Sequence, residues 1–328
     1  MAAMPETIQR DVGDKSSFVA RFRPHMETNL WMATRGVGSP LHYDVTHNMY
    51  AQISGSKRFR LFPPHDYSNL YLYPRVHPST RMSQVDMDAI RTDLFPHFPN
   101  TTPIEFTLEK GDVLYIPPYW FHQTEVSGSH SISVSVCSES PQVELRERVF
   151  LDQKQQKQLA SLASAQLPLR ARALALEAYM RAFFKFEYSR ERVTRKGGGS
   201  SEDEIANRLR RFCSLLLESR FEALPFDAAV KGLSRLIDDA EAFFRREMAK
   251  DISPEGHSDV IEQGRHEGEK LVAKYNFLTG SMYRYTKTEW EIELMNHFED
   301  VASMVLGSPL MIAPFLGHIT TRLRRQVG

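Results

Sequence analysis

The sequence predicts an α+β protein: a mostly β N-terminal part followed by an all-α C-terminal region. Three observations carry this prediction. Between Asn29 and Cys137, short runs of β-branched and aromatic residues alternate with Gly, Pro, Ser and Asn, the pattern of strands and turns. After about Val143 the apolar residues recur every three to four positions, the period of amphipathic helices. The 328 residues, 41% hydrophobic and 11% aromatic, are enough for packed cores in one large or two modest domains. We therefore divide the chain into an N-terminal segment (1–28), a β domain (29–140) and a helical region (141–328).

Strands are expected over 29–34, 41–45, 49–53, 57–62, 104–108, 113–116 and 131–137. Between the fourth and fifth lies a connection holding Pro63, Pro64, Pro74, Pro78, Pro96 and Pro99, far longer than usual and therefore expected to be a lid or binding surface. In the helical region, 145–188 holds few breakers, and the run Lys196-Gly-Gly-Gly-Ser-Ser201 reads as a flexible interruption. Ser201 with Glu204 suggests a capping box ahead of Ile205, Leu209, Phe212 and Leu216. Asp227 is expected to cap a further helix with Val230, Leu233, Ile237, Ala240 and Phe244 on one stripe. Trp290, Leu294, Phe298, Val301 and Val305 form another, and such stripes bury cores or pair helices between copies.

Charge and cysteine content exclude several classes. Forty-one Lys and Arg balance forty-one Asp and Glu, so the basic field that draws proteins to nucleic acid is missing, and no nucleic-acid partner is expected. Cys137 and Cys213 cannot build a disulfide framework, and Glu6, Arg10, Asp11, Asp14 and Lys15 replace the apolar core of a signal peptide. An intracellular location, cytoplasmic or nuclear, is expected. Residues 301–321 carry no charge and precede Arg322, Arg324 and Arg325, but Pro309, Pro314 and His318 interrupt them. A pair of short buried helices with a proline-containing turn is expected there rather than a membrane anchor.

The chemistry lies in the β part. In Leu41-His42-Tyr43-Asp44, residues two apart on a strand share a face, so His42 and Asp44 can converge while Tyr43 points away. Farther on, a Gly111-Asp112 turn launches a short strand, Pro117 and Pro118 stop it, and His122 opens the next. Two histidines and one carboxylate with open positions form the facial triad of non-haem Fe(II) oxygenases. Lys57 shares a strand face with Phe59 and Leu61, where an ammonium requires an anion; with the triad nearby, the distal carboxylate of 2-oxoglutarate suggests itself. The ordinary alternative is that Lys57, beside Gly55 and Ser56, bends out to water. His47 is turned to the opposite face from His42, and His65, His77, His97 and His130 read as loop histidines.

Residues 29–137 resemble the JmjC (cupin-like) Fe(II)- and 2-oxoglutarate-dependent oxygenases, most closely the branch typified by factor-inhibiting-HIF, an asparaginyl hydroxylase. The resemblance rests on His42-Tyr43-Asp44, Asn48, Ala51-Gln52-Ile53, Lys57-Arg58, Leu61-Phe62-Pro63-Pro64, Ser83-Gln84-Val85-Asp86, the Gly111-to-Pro117 stretch and Tyr119-Trp120 before His122. It implies a double-stranded β-helix (jelly-roll) barrel with Fe(II) on His42, Asp44 and His122. It further implies 2-oxoglutarate held by Lys57, with Ser39, Asn48 and Ser135 around it, and hydroxylation or demethylation of a protein or peptide side chain. Tyr71, Tyr73, Arg75 and Arg81 are the expected substrate contacts, and homodimerisation through the C-terminal helices is implied. Met82 departs from the family's substrate-gripping glutamine, and Ser135 from an asparagine. Two rival classes remain open: a non-catalytic scaffold acting through its helices, and a cupin isomerase with His47 or Glu125 as a fourth ligand.

Overall fold

The computed structural model describes residues 26–164, 166–194, 201–222, 231–250, 254–281 and 286–327. Strands β1 (Met26–Thr34), β2 (Gly38–Tyr43), β3 (His47–Phe62), β4 (Ile104–Leu108), β5 (Val113–Ile116) and β6 (Phe121–Ser138) make one antiparallel sheet. The long strands β3 and β6 pair along most of their length. Strands β1 and β2 add to β6, while β4 and β5 add to β3. Alternation along β3 buries Asn48, Tyr50, Gln52, Lys57, Phe59 and Leu61, and the core of this part packs Tyr50, Phe59, Leu61, Leu108 and Ile116 together.

Two expected strands, 49–53 and 57–62, are one. Gly55 makes no reversal; it sits at φ +68 where the register of β3 on β6 shifts, so the Gly-Ser pair is a bulge within a continuous strand. A Cβ on Gly55 would lie 1.9 Å from the His130 carbonyl oxygen. The last expected strand likewise begins ten residues early, at Phe121. The 63–103 connection is no loose lid: it buries Leu70, Val85, Phe95 and Phe98 and contains two short 3-10 turns, Pro64–Asn69 and Phe98–Asn100.

The helical part comprises α1 (Pro141–Val149), α2 (Gln153–Leu162), α3 (Leu169–Thr194), α4 (Ser201–Arg220), α5 (Lys231–Ala249), α6 (Ser258–Ser281), α7 (Lys287–Leu306) and α8 (Ile312–Val327). Asp152 caps α2 through the Gln155 amide at 3.0 Å. Helices α3 and α6 approach closely because Gly264 and Gly268 face the Ala175 and Tyr179 carbonyls. The stripe Trp290, Leu294, Phe298, Val301 and Val305 is buried on α7, which starts in a Thr286–Glu289 capping box and ends at a left-handed Gly307. Among the described residues no single helix is long and apolar enough to cross a membrane; the uncharged stretch is α7 and α8 bent by 109° around Pro309. The glycine-rich run, the cap at Ser201, and Asp227 and Val230 lie outside the described residues and side chains.

By contacts the chain divides into two units, and the division is not linear. One runs up to Leu70 and resumes over Arg81–Glu144; the other takes Tyr71–Thr80 together with everything from Leu145. The split expected at 140 did not anticipate that ten residues within the β part belong with the helices.

The two causes of glycine strain at Gly55 separate experimentally. Gly111 is also left-handed, at φ +98, yet nothing lies within 4 Å of its missing Cβ. Gly111→Ala should therefore cost about 1 kcal/mol, the left-handed penalty alone, and Gly55→Ala about 3 kcal/mol or more, read from urea midpoints at constant m.

Candidate metal centre and its pocket

Antiparallel pairing of β2 with β6 sets His42 directly opposite His122, with ring centroids 4.2 Å apart. Asp44 lies one residue beyond the end of β2, where its carbonyl accepts the Tyr119 amide at 2.7 Å. Tyr43 points the other way into the core, against Tyr119 and Phe121. One ligand atom each from His42, Asp44 and His122 lies within 4.8 Å of the others, and His122 Nε2 is 3.8 Å from Asp44 Oδ2.

Hydrogen bonds settle which nitrogen is available. His42 Nδ1 lies 2.8 Å from the Pro40 carbonyl and His122 Nδ1 lies 3.2 Å from the Trp120 carbonyl. A carbonyl only accepts, so both Nδ1 atoms carry hydrogen and both neutral rings keep the Nε2 lone pair for a cation. Burial, reinforced by His42, pushes the His122 pKa down to about 4 against the opposing pull of Asp44. At neutral pH this ring is uncharged and able to ligate.

The same cavity, of about 260 Å3, reaches Lys57. The lysine is 7% exposed, so its side chain does not bend out to water. Its Nζ donates to the Tyr50 hydroxyl at 2.8 Å and lies 5.3 Å from that ring's centre; among the described residues no carboxylate pairs with it. The neighbouring arginines on the opposite face have partners, Arg58 with Glu125 and Arg60 with Glu105. Ser39 Oγ lies 3.0 Å from Thr124 Oγ1, Ser135 Oγ accepts the Trp31 indole N–H at 2.8 Å, and buried Asn48 Oδ1 has no hydrogen-bond partner. Lys57, Ser39, Thr124, Ser135, Trp31 and Asn48 all line the cavity, with Tyr50, Phe59 and Ile116.

The expected substrate contacts fare differently. Tyr71, Tyr73 and Arg75 belong to the helical unit, not to the unit carrying the triad. The Tyr71 ring is buried, Tyr73 stacks on His77, and Arg75 is engaged by α7: its amide donates to Glu299 Oε2 at 2.5 Å and its Nε meets Asp300 at 3.3 Å. Glu299 is itself buried against Arg220. Arg81 belongs to the unit that carries the triad, exposed and left-handed, its carbonyl accepting the Tyr43 amide, and Met82 pairs with His42 in an isolated β-bridge. His47 is held by the Tyr115 hydroxyl at 2.7 Å and Glu125 by Arg58, so neither joins the triad as a fourth ligand. Trp31, Tyr50 and Thr124 are pocket residues that sequence reasoning missed. Thr124 sits two past His122 and Tyr50 two past Asn48, so strand parity could have found both.

Residues 3–137 match the family model of the cupin-like domain. Over the same stretch the chain is similar to JmjC-domain proteins. JmjC domain-containing protein D of Dictyostelium discoideum is 39% identical over 109 residues, 33% of this chain and 24% of that protein. Lysine-specific demethylase JMJ30 of Arabidopsis thaliana is 39% identical over 107 residues, again 33% and 24%. tRNA wybutosine-synthesizing protein 5 of Mus musculus is 38% identical over 95 residues, 29% of this chain and 28% of that protein. The chain thus spans about a quarter of the length of these relatives.

A buried ammonium with no carboxylate partner among the described residues costs the fold, and that cost is measurable. In the absence of ligand, Lys57→Met in the cupin-like domain should raise stability by about 1 kcal/mol or more in urea unfolding. A Lys57→Met protein less stable than wild type would mean that the ammonium is satisfied where it sits.

Proposed function

We propose that the cupin-like domain is an Fe(II)- and 2-oxoglutarate-dependent dioxygenase that hydroxylates or demethylates a protein side chain. The observation that carries this reading is the conjunction, in one cavity, of two imidazoles with free Nε2 atoms, a carboxylate, and a buried lysine lacking a carboxylate partner among the described residues. The residues fit both groups. Two neutral imidazoles and one carboxylate are a donor set for Fe(II) that leaves positions open, and the Lys57 ammonium, with no carboxylate partner among the described residues, fits a dicarboxylate.

In this reading His42, Asp44 and His122 hold the cation, and the Pro40 and Trp120 carbonyls keep both rings in the ligating tautomer. Lys57 pairs with the distal carboxylate of 2-oxoglutarate, and Tyr50 holds the ammonium in place. Ser39, Thr124, Asn48 and Ser135 supply hydroxyl and amide groups along the same wall. Phe59 and Ile116 keep water from that end, which strengthens the charge pairing. Bound Fe(II) supplies the redox chemistry that couples decarboxylation of 2-oxoglutarate to succinate with oxidation of a substrate C–H bond.

The rival reading as a scaffold has a direct discriminator. With Fe(II), ascorbate and air, the full chain should convert 2-oxoglutarate to succinate, and Asp44→Ala should lower that rate at least ~100-fold while leaving the circular dichroism unchanged. Well-folded protein that forms no succinate would leave the scaffold.

A further inference from the structure

The polarity of the triad cavity is graded. Its inner end carries Lys57, Asn48 and Thr124, while Trp31, Met32 and Val37 stand at exposed positions of its lining, 49%, 71% and 51% exposed. The indole of Trp31 is a fixed surface, because its N–H is spent on Ser135. Among the described residues, the charged groups lining the cavity besides the two histidines are Asp44 and Lys57, and in the oxygenase reading each is already engaged, one by the cation and one by the co-substrate.

We infer that the group presented to this centre is an uncharged apolar or aromatic side chain of a peptide, so that the reaction is C-hydroxylation rather than removal of a methyl group from a cationic amine. The inference rests on the proposed oxygenase reading and narrows it. A lysine or arginine, methylated or not, would bring its charge to a mouth that, among the described residues, is lined by no carboxylate besides Asp44. One indole face attracts a cation, but recognition of methylammonium by rings uses an aromatic cage, and among the described residues no Phe or Tyr stands with Trp31 at the exposed end of this lining. An apolar side chain meets surface of its own kind on Trp31, Ala33 and Val37 and loses nothing on leaving water. A nucleic acid would need several lysines or arginines for its phosphates; among the described residues the lining holds only Lys57, at its inner end, and Arg81 stands near the triad outside the lining.

The step balances as R–H + O2 + 2-oxoglutarate → R–OH + succinate + CO2. The C–H bond breaks and a C–O bond forms. Two electrons from that carbon and two from the decarboxylation reduce dioxygen, whose second atom enters the new succinate carboxylate.

The test uses the full chain and a panel of otherwise identical peptides whose central residue is Leu, Phe, Lys, trimethyl-lysine or Glu, with a transfer RNA as a further probe. Calorimetry with redox-inert Mn(II) and 2-oxoglutarate should show the Leu and Phe peptides binding at least ~10-fold tighter than the three charged ones. Val37→Glu should reverse the order of Leu and trimethyl-lysine. Under turnover with Fe(II), the bound peptides should gain 16 Da. Tighter binding of trimethyl-lysine or RNA, loss of 14 Da, or no binding by any uncharged peptide overturns the inference. Binding in the predicted order without succinate formation would keep the specificity and remove the oxygenase reading instead.

Discussion

The antiparallel register of β2 on β6 is the constraint on which the candidate centre depends. Pairing His42 with His122 sets two imidazoles side by side on adjacent strands, and a slip by one residue would turn both rings to opposite faces. The register is held from both sides. Upstream, a Cβ on Gly38 would lie 1.9 Å from the Thr124 carbonyl oxygen, so only glycine lets β2 come this close to β6; downstream, Tyr119 at φ +64 ties its amide to the Asp44 carbonyl. Non-glycine residues in the left-handed region store strain, and such strain gathers where a structure must hold a geometry for function.

Lys57 is the second half of the same design. The bulge at Gly55 lets β3 run unbroken past the centre, and alternation beyond it carries Lys57 inward while Arg58 and Arg60 pair outside with Glu125 and Glu105. A hydroxyl from Tyr50 is a modest partner for a buried ammonium. Among the described residues this charge has no carboxylate partner, which is the feature the proposed dicarboxylate would satisfy.

Local pattern made much of this legible. Strand parity joined His42 to Asp44 and set Lys57 on the face of Phe59 and Leu61, and the change of period near Val143 marked the onset of helix. The rest was hidden by long-range contacts. A left-handed glycine inside a bulge looks in sequence like a hairpin turn, so β3 was read as two strands. Arg75 looks like a free guanidinium in a proline-rich loop, yet its partners, Glu299 and Asp300, lie more than 220 residues away, and no periodicity announces them. Trp31 was passed over because its role depends on pairing β1 with the far end of β6, where Ser135 receives its N–H.

The central claim is that one cation is shared by His42, Asp44 and His122 beside Lys57. Titration of the full chain with Co(II), followed by its visible absorption, tests this most directly. The account predicts a single equivalent bound, its loss in His122→Ala, and a spectral change on adding 2-oxoglutarate to the wild type that Lys57→Met does not show. Equal cobalt binding by His122→Ala, or an unchanged response in Lys57→Met, would contradict it.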